Sequence, residues 1–158
     1  MLYIGKIVST HGIKGELRIL SDFQYKDKVF RVGNNLVINN EKYKISSYRV
    51  HKNFDMVTLN DYNNINDVLF LLKHDVYFLE SDLELDDNQI LDSELYNFEV
   101  VSTDGKVGRV LEVFYASPKN KVIRILLDKE YLLPYNSPMI VSINKKQEKM
   151  VVKLIEGM

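Results

Sequence analysis

His11 and Glu16 flank a short turn that also carries Lys14, and Arg18 follows on the same run. An imidazole and a carboxylate so placed could act as an acid–base pair. The same stretch could instead offer His11, Lys14 and Arg18 to RNA phosphates or to a protein partner, and His11 could be a plain loop residue. The remaining chemistry-bearing patterns are weaker. The other histidines, His51 and His74, stand at no metal-ligand spacing from His11, and the chain has no cysteine. No serine sits in a nucleophile motif. The acidic run Asp82, Glu84, Asp86, Asp87 lacks the glycine that a calcium loop needs after its third ligand, so it reads as a charged linker. Gly105 and Gly108 are followed by neither Lys-Ser/Thr nor a helix, so they form no phosphate cradle. These residues imply no metal and no cofactor.

The elements that would hold these groups are strands. Gly12 and Gly15 let the chain reverse between Leu2–Val8 and Glu16–Leu20. In the second strand Leu17 and Ile19 alternate with Glu16 and Arg18, the pattern of a half-buried strand. Ser21–Lys28 is polar and reads as a loop. Val29–Val32 and Leu36–Ile38 are short apolar runs separated by Gly33-Asn34-Asn35. Lys42–His51 and Phe54–Leu59 are the next strands, and their close spacing predicts a small antiparallel barrel. Ile65, Val68, Leu69 and Leu72 follow helical spacing behind Asn64, a good N-cap, which predicts one short helix plugging the barrel. Val76–Leu79 returns as a strand.

From Glu80 to Glu94 the chain carries seven Asp or Glu and no Lys or Arg. Like charges hold such a segment extended and solvated, so it is expected to link two domains, 1–80 and 95–158, across residues 81–94. Ile90 and Leu91 are an apolar pair inside it, either exposed for a partner or docked back onto the fold with the linker. The second half reads as further strands: Phe98–Ser102 and Val107–Tyr115 around a two-residue Asp104-Gly105 turn, then Val122–Leu127, Tyr131–Pro134, Met139–Ile143 and Met150–Ile155. Both halves are small, so packing or a partner should matter to their stability.

The 158 residues are 46% hydrophobic and 27% charged, a folding composition. No apolar run approaches the roughly 20 residues of a membrane span, and the N-terminus has no basic region followed by an apolar one. The expectation is a cytoplasmic protein with no membrane association. The net charge of −1 hides a segregation: residues 1–60 hold 10 Lys+Arg against 5 Asp+Glu, residues 61–100 hold 1 against 11, and residues 101–158 hold 10 against 6. That is no strong basic excess, but it suits a protein that touches both a basic protein and RNA.

Gly5-Lys-Ile followed by His11-Gly-Ile-Lys-Gly-Glu16 and an alternating strand resembles the opening of the ribosome maturation factor RimM family. A second match lies downstream: Glu94-Leu-Tyr-Asn-Phe-Glu-Val100, Gly105-Lys-Val-Gly-Arg-Val110, Asn120, Leu132-Leu-Pro-Tyr135, Val141-Ser-Ile-Asn144 and Glu156-Gly-Met158 are similar to that family's C-terminal PRC-barrel. Asn97 stands where the family usually has Gly, and Asn144 where it has Asp. Ile90-Leu91 occupies the place of a Tyr-Tyr pair.

The resemblance implies a mainly all-β fold of two small β-barrels. The first would be a translation-factor-like six-stranded barrel with one short helix, the second a PRC-barrel. It implies no enzyme but an assembly factor that binds the head of the immature 30S subunit and assists 16S rRNA processing, a monomer when free. Its partners would be small-subunit ribosomal protein nineteen and 16S rRNA. Ile90, Leu91, Asn120, Pro134 and Tyr135 would then meet the ribosomal protein, and His11, Lys14 and Arg18 the RNA. The alternatives are a free-standing RNA-binding barrel and an enzyme using the His11/Glu16 pair.

Overall fold

A computed structural model describes all 158 residues, which divide into two units, Met1–Glu84 and Leu85–Met158. Both are built mainly of β-strands.

In the first unit the strands are β1 (Leu2–His11), β2 (Glu16–Leu20), β3 (Asn35–Ile38), β4 (Glu41–His51), β5 (Phe54–Leu59) and β6 (Asp75–Phe78). Their spatial order is β1-β2-β5-β4-β3-β6, and β6 pairs back onto β1 from Leu2↔Phe78 to Lys6↔Asp75. Alternation sends Ile4, Ile7, Leu17, Ile19, Ile45, Val57 and Leu59 into one buried cluster. Bulges between Ile7 and Ser9 and between Ile45 and Ser47 bend the long strands around that core. Gly5 permits a close approach: a Cβ there would lie 2.3 Å from the Leu20 carbonyl oxygen.

The helix expected at Ile65–Leu72 is instead two 3-10 turns, Ile65–Asp67 and Leu69–Leu71. Asn64 does cap the first, accepting the Asn66 amide. The period of three buries Val68 and Leu71 and turns Leu69 outward, away from the stripe that a period of 3.6 would give. The next residues are already claimed by β1, since the Lys73 amide donates to Ile7 and the Ile7 amide to His74. One α-helix does occur, α1 (Lys26–Val29), across the end of the stretch expected to be a loop and the first residue of the apolar run after it. The Asn34 side chain ties down its Lys28 and Val29 carbonyls. Lys26 pairs at 2.9 Å with the buried Asp55, which also accepts from the Tyr48 hydroxyl.

The second unit contains β7 (Glu99–Ser102), β8 (Val107–Ser117), β9 (Asn120–Leu126), β10 (Glu130–Pro134), β11 (Ile140–Asn144) and β12 (Lys149–Val152). They form one six-stranded sheet in the order β10-β9-β8-β7-β12-β11, in which β7 and β12 run parallel. Leu95, Phe98, Val100, Ile123, Ile125, Leu133, Met150 and Val152 are its core. Four residues, Thr103–Lys106, join β7 to β8, and because the Ser102 amide donates to the Lys106 carbonyl the turn itself is Thr103-Asp104-Gly105, with Gly105 at φ 96°. A glycine in that left-handed position adds one residue to the tight turn expected.

Ile90 and Leu91 are not an exposed pair. They are 6% and 4% exposed, and Ile90 belongs to the second unit's core. The segment around them is tied to this unit by the unit's own polar side chains, and one of its carboxylates, Asp92, is paired. Lys121 reaches Asp92 at 2.8 Å, Lys145 donates to the Gln89 carbonyl at 2.6 Å, and the Tyr115 hydroxyl donates to Asp92. With the segment held against the sheet by these contacts, the apolar pair can leave water.

Candidate functional site

Strand register, not sequence proximity, assembles the most polar surface of the first unit. The pairs Ser9↔Arg18 and His11↔Glu16 join β1 to β2, Arg18↔Met56 joins β2 to β5, and Arg49↔Met56, Ser47↔Thr58 and His51↔Phe54 join β5 to β4. The neighbours of these residues along each strand, such as Leu17, Ile19 and Val57, face the core. The named residues therefore share the opposite face. Met56 lies among them, wholly buried yet outside the core cluster.

Arg18 organises one corner of this face. Its guanidinium donates to His11 Nδ1 at 2.7 Å and to the Ser9 hydroxyl at 3.3 Å, and it lies 5.9 Å from the centre of the Phe54 ring. A guanidinium has no lone pair, so His11 Nδ1 must accept, which leaves the ring proton on Nε2. The His11 and His51 rings are 5.4 Å apart. Desolvation holds His51 below the ordinary imidazole range, and the positive charges of Arg49, Lys52 and Arg18 push the same way.

Beside that corner Arg49 grips Glu16 through two hydrogen bonds, at 2.8 and 2.7 Å. These bonds hold the Glu16 carboxyl below its usual range. A cleft of about 470 Å³ opens here, lined by His11, Lys14, Glu16, Arg49, Thr58 and the turn residues Gly12 and Ile13. The turn is pinned, because the Ile65 amide donates to the Ile13 carbonyl and buried Gly15 packs against the Asn64 backbone. Lys14 and Ile13 are exposed, Ile13 at 76%.

His11, Lys14 and Arg18 thus fall in one neighbourhood, as their sequence spacing suggests. Arg49, His51 and Phe54 join them only through the order β2-β5-β4. Their signal in the sequence is alternation at Ser47, Arg49 and His51, but nothing local says which strand they meet. The His11/Glu16 pair is opposite in register, yet neither group is poised for proton transfer. Arg49 keeps Glu16 ionised and bound, and Arg18 occupies the basic nitrogen of His11.

The second unit holds the other named residues. Asn120 is exposed at the start of β9, where its side chain bonds the Ser117 hydroxyl across a turn of Pro118 and Lys119. Pro134 ends β10 opposite Val122. Tyr135 follows it, with its amide donating to the Lys121 carbonyl and its ring 3.9 Å from Lys121 Nζ. Lys121 therefore sits between the Tyr135 ring and Asp92. A cleft of about 390 Å³ runs beside Tyr135, with Ile90 and Ile143 as apolar lining and Asp87, Lys145 and Lys146 as charged lining. Asn120 begins β9, Pro134 ends β10 and Tyr135 follows it, and of the linker pair Ile90 lines the cleft while Leu91 is buried.

Residues 2–83 match the RimM N-terminal domain family and residues 87–158 the PRC-barrel domain family. The chain is 32% identical over 162 aligned residues to the ribosome maturation factor RimM of Staphylococcus aureus strain MRSA252, covering 98% of this chain and 96% of that protein. The same protein of strain JH9 matches equally. The solution structure of the N-terminal domain of RimM from Thermus thermophilus aligns with 53% of this chain and 94% of its own at 16% identity, with a TM-score of 0.46.

Proposed function

The chain belongs to the RimM family of ribosome maturation factors, and from that premise we propose that it binds the head of the immature 30S subunit and assists 16S rRNA processing there. In this reading the first unit touches 16S rRNA and the second touches small-subunit ribosomal protein nineteen. The protein acts in the cytoplasm by binding, not by catalysis, and is monomeric when free. No helix is long and apolar enough to cross a membrane.

The observation that carries the RNA half is the face shared by His11, Arg18, Arg49 and His51, with Lys14 and Lys52 at its border. Glu16 is its only carboxylate, and Arg49 already takes that charge. Surplus fixed cations on a sheet face suit a phosphate backbone. The protein half is supported by the cleft beside Tyr135, where aliphatic Ile90 and Ile143 lie next to charged Asp87, Lys145 and Lys146. Asn120, Pro134 and Tyr135 would contact that partner, and Ile90 and Leu91 would shape the surface from beneath. A His11/Glu16 acid–base enzyme is disfavoured by the engagement of both groups with arginines.

Co-sedimentation with immature and mature 30S subunits tests this reading. Binding to the immature particle that exceeds binding to the mature one is expected. Equal absence from both would overturn it.

A further inference from the structure

The corner around Arg18 has a chemistry more specific than general basicity. We propose that Arg18, His11 and His51 together hold a single phosphodiester phosphate of RNA, and that His51 takes a proton from solvent when the phosphate binds. The proposal rests on the reading that this face meets RNA, and it names the group recognised and the residues that recognise it.

The geometry assembles three donor side chains at one place, a guanidinium and two imidazoles. Two of the five N–H donors of Arg18 are engaged, by His11 and Ser9. His11, held as an acceptor at Nδ1, carries its proton on Nε2. His51 lies 5.4 Å from His11, ring to ring, and is half-buried. The titratable and charged groups around His51 come from every neighbouring element: His11 on β1, Glu16 and Arg18 on β2, Arg49 on β4 and Lys52 in the β4–β5 turn. On this face β5 contributes only Phe54, Met56 and Thr58, because Asp55 points inward to Lys26. The one carboxylate, Glu16, is bound by Arg49. Protonating His51 in the free protein therefore adds a cation to unbalanced cations. A bound monoanion reverses that balance, so phosphate binding and His51 protonation must reinforce one another.

RNA is favoured over an acidic protein by what surrounds the corner. Phe54 and the two imidazoles offer flat ring faces on which bases can stack, and the Ser9, Ser47 and Thr58 hydroxyls lie on the same sheet face.

The test is a histidine titration by NMR on the full-length chain, alone, with a single-stranded oligouridylate and with oligoglutamate. The chain has three histidines, and His74, away from this face, is the internal reference. The oligouridylate should raise the His51 midpoint by about half a pH unit, leave His74 unmoved, and bind about threefold more tightly below that midpoint than above it. His51→Gln should still bind but lose that pH dependence, with an unchanged melting curve to show that the fold survives. RNA binding with an unmoved His51 midpoint would overturn the proposal while leaving the wider reading of this face intact. No RNA binding at low salt would overturn both the phosphate site and the RNA role of the face, whatever the outcome of co-sedimentation. A His51 shift with oligoglutamate alone would overturn it in favour of a carboxylate-bearing protein partner.

Discussion

Arg49 of β4 reaches over β5 to hold Glu16 of β2 by both of its carboxylate oxygens. The pair clamps three adjacent strands on the face proposed to meet RNA. Because the carboxyl of Glu16 titrates below its unfolded value, the clamp stabilises the fold above that unfolded value and is lost as pH falls through the folded one. Glu16→Gln should therefore lower the melting temperature at neutral pH, and the gap to the parent should close on acidification past the carboxylate range. A gap that persists in acid would show that the effect is steric.

Reversing the charges of Lys14 and Arg18 to Glu should weaken binding to immature 30S subunits and lessen its dependence on salt. Removing one cation that neutralises a phosphate lowers the slope of log affinity against log salt by roughly one. Sedimentation at several salt concentrations reads both effects, and far-UV circular dichroism should be unchanged. An unaltered slope would remove both residues from any RNA interface.

Changing Ile90 and Leu91 to Ala should destabilise the second unit, because both side chains are almost fully buried. Each truncation of a packed aliphatic residue costs about 2–5 kcal/mol. Binding to isolated ribosomal protein nineteen should weaken only where the melting curve shows unfolding. A tenfold loss of binding by a fully folded double variant would show that the pair meets the partner directly.

Gly108→Ala should be far more damaging than an exposed glycine substitution. A Cβ at this position would lie 1.6 Å from the Leu126 carbonyl oxygen and 2.7 Å from its carbon. Both are backbone atoms of β9, so relief requires the β8–β9 ladder to part. Urea unfolding should show a loss in the rare class above about 4 kcal/mol. Gly33→Ala, at a site where no atom lies within 4 Å of the new methyl, is the comparison. It should cost less, through its positive φ alone.

Local chemistry made much of this legible in the sequence. The alternation of Glu16–Leu20 located β2 and the face that Arg18 would take, and Asn64 marked a cap that is formed. The stripe at Ile65, Val68, Leu69 and Leu72 misled because eight residues are too few to favour a helix over the tighter 3-10 turn that β1 draws in. Arg49 and His51 could not be placed beside His11, since their meeting depends on strand order and on the bulge after Ile45. Ile90 and Leu91 stood out as apolar residues in an acidic run. Burial was one of two readings open for them, and local sequence could not decide it because Lys121, which pairs with Asp92, and Lys145, which bonds the Gln89 carbonyl, lie far along the chain.

The parallel pairing of β7 with β12 bears on how the protein is made. The first strand of the second unit finds one of its two neighbours only when the last strand of that sheet has been synthesised. The first unit needs nothing beyond Phe78 to complete its strand set. It can fold while translation continues, whereas the second must wait with β7 exposed along one side until Val152 is available. The unit proposed to meet RNA is thus ready before the unit proposed to receive the ribosomal protein. A pause in synthesis between Asn144 and Lys149 would leave a half-built sheet with an open edge, prone to pair with another chain.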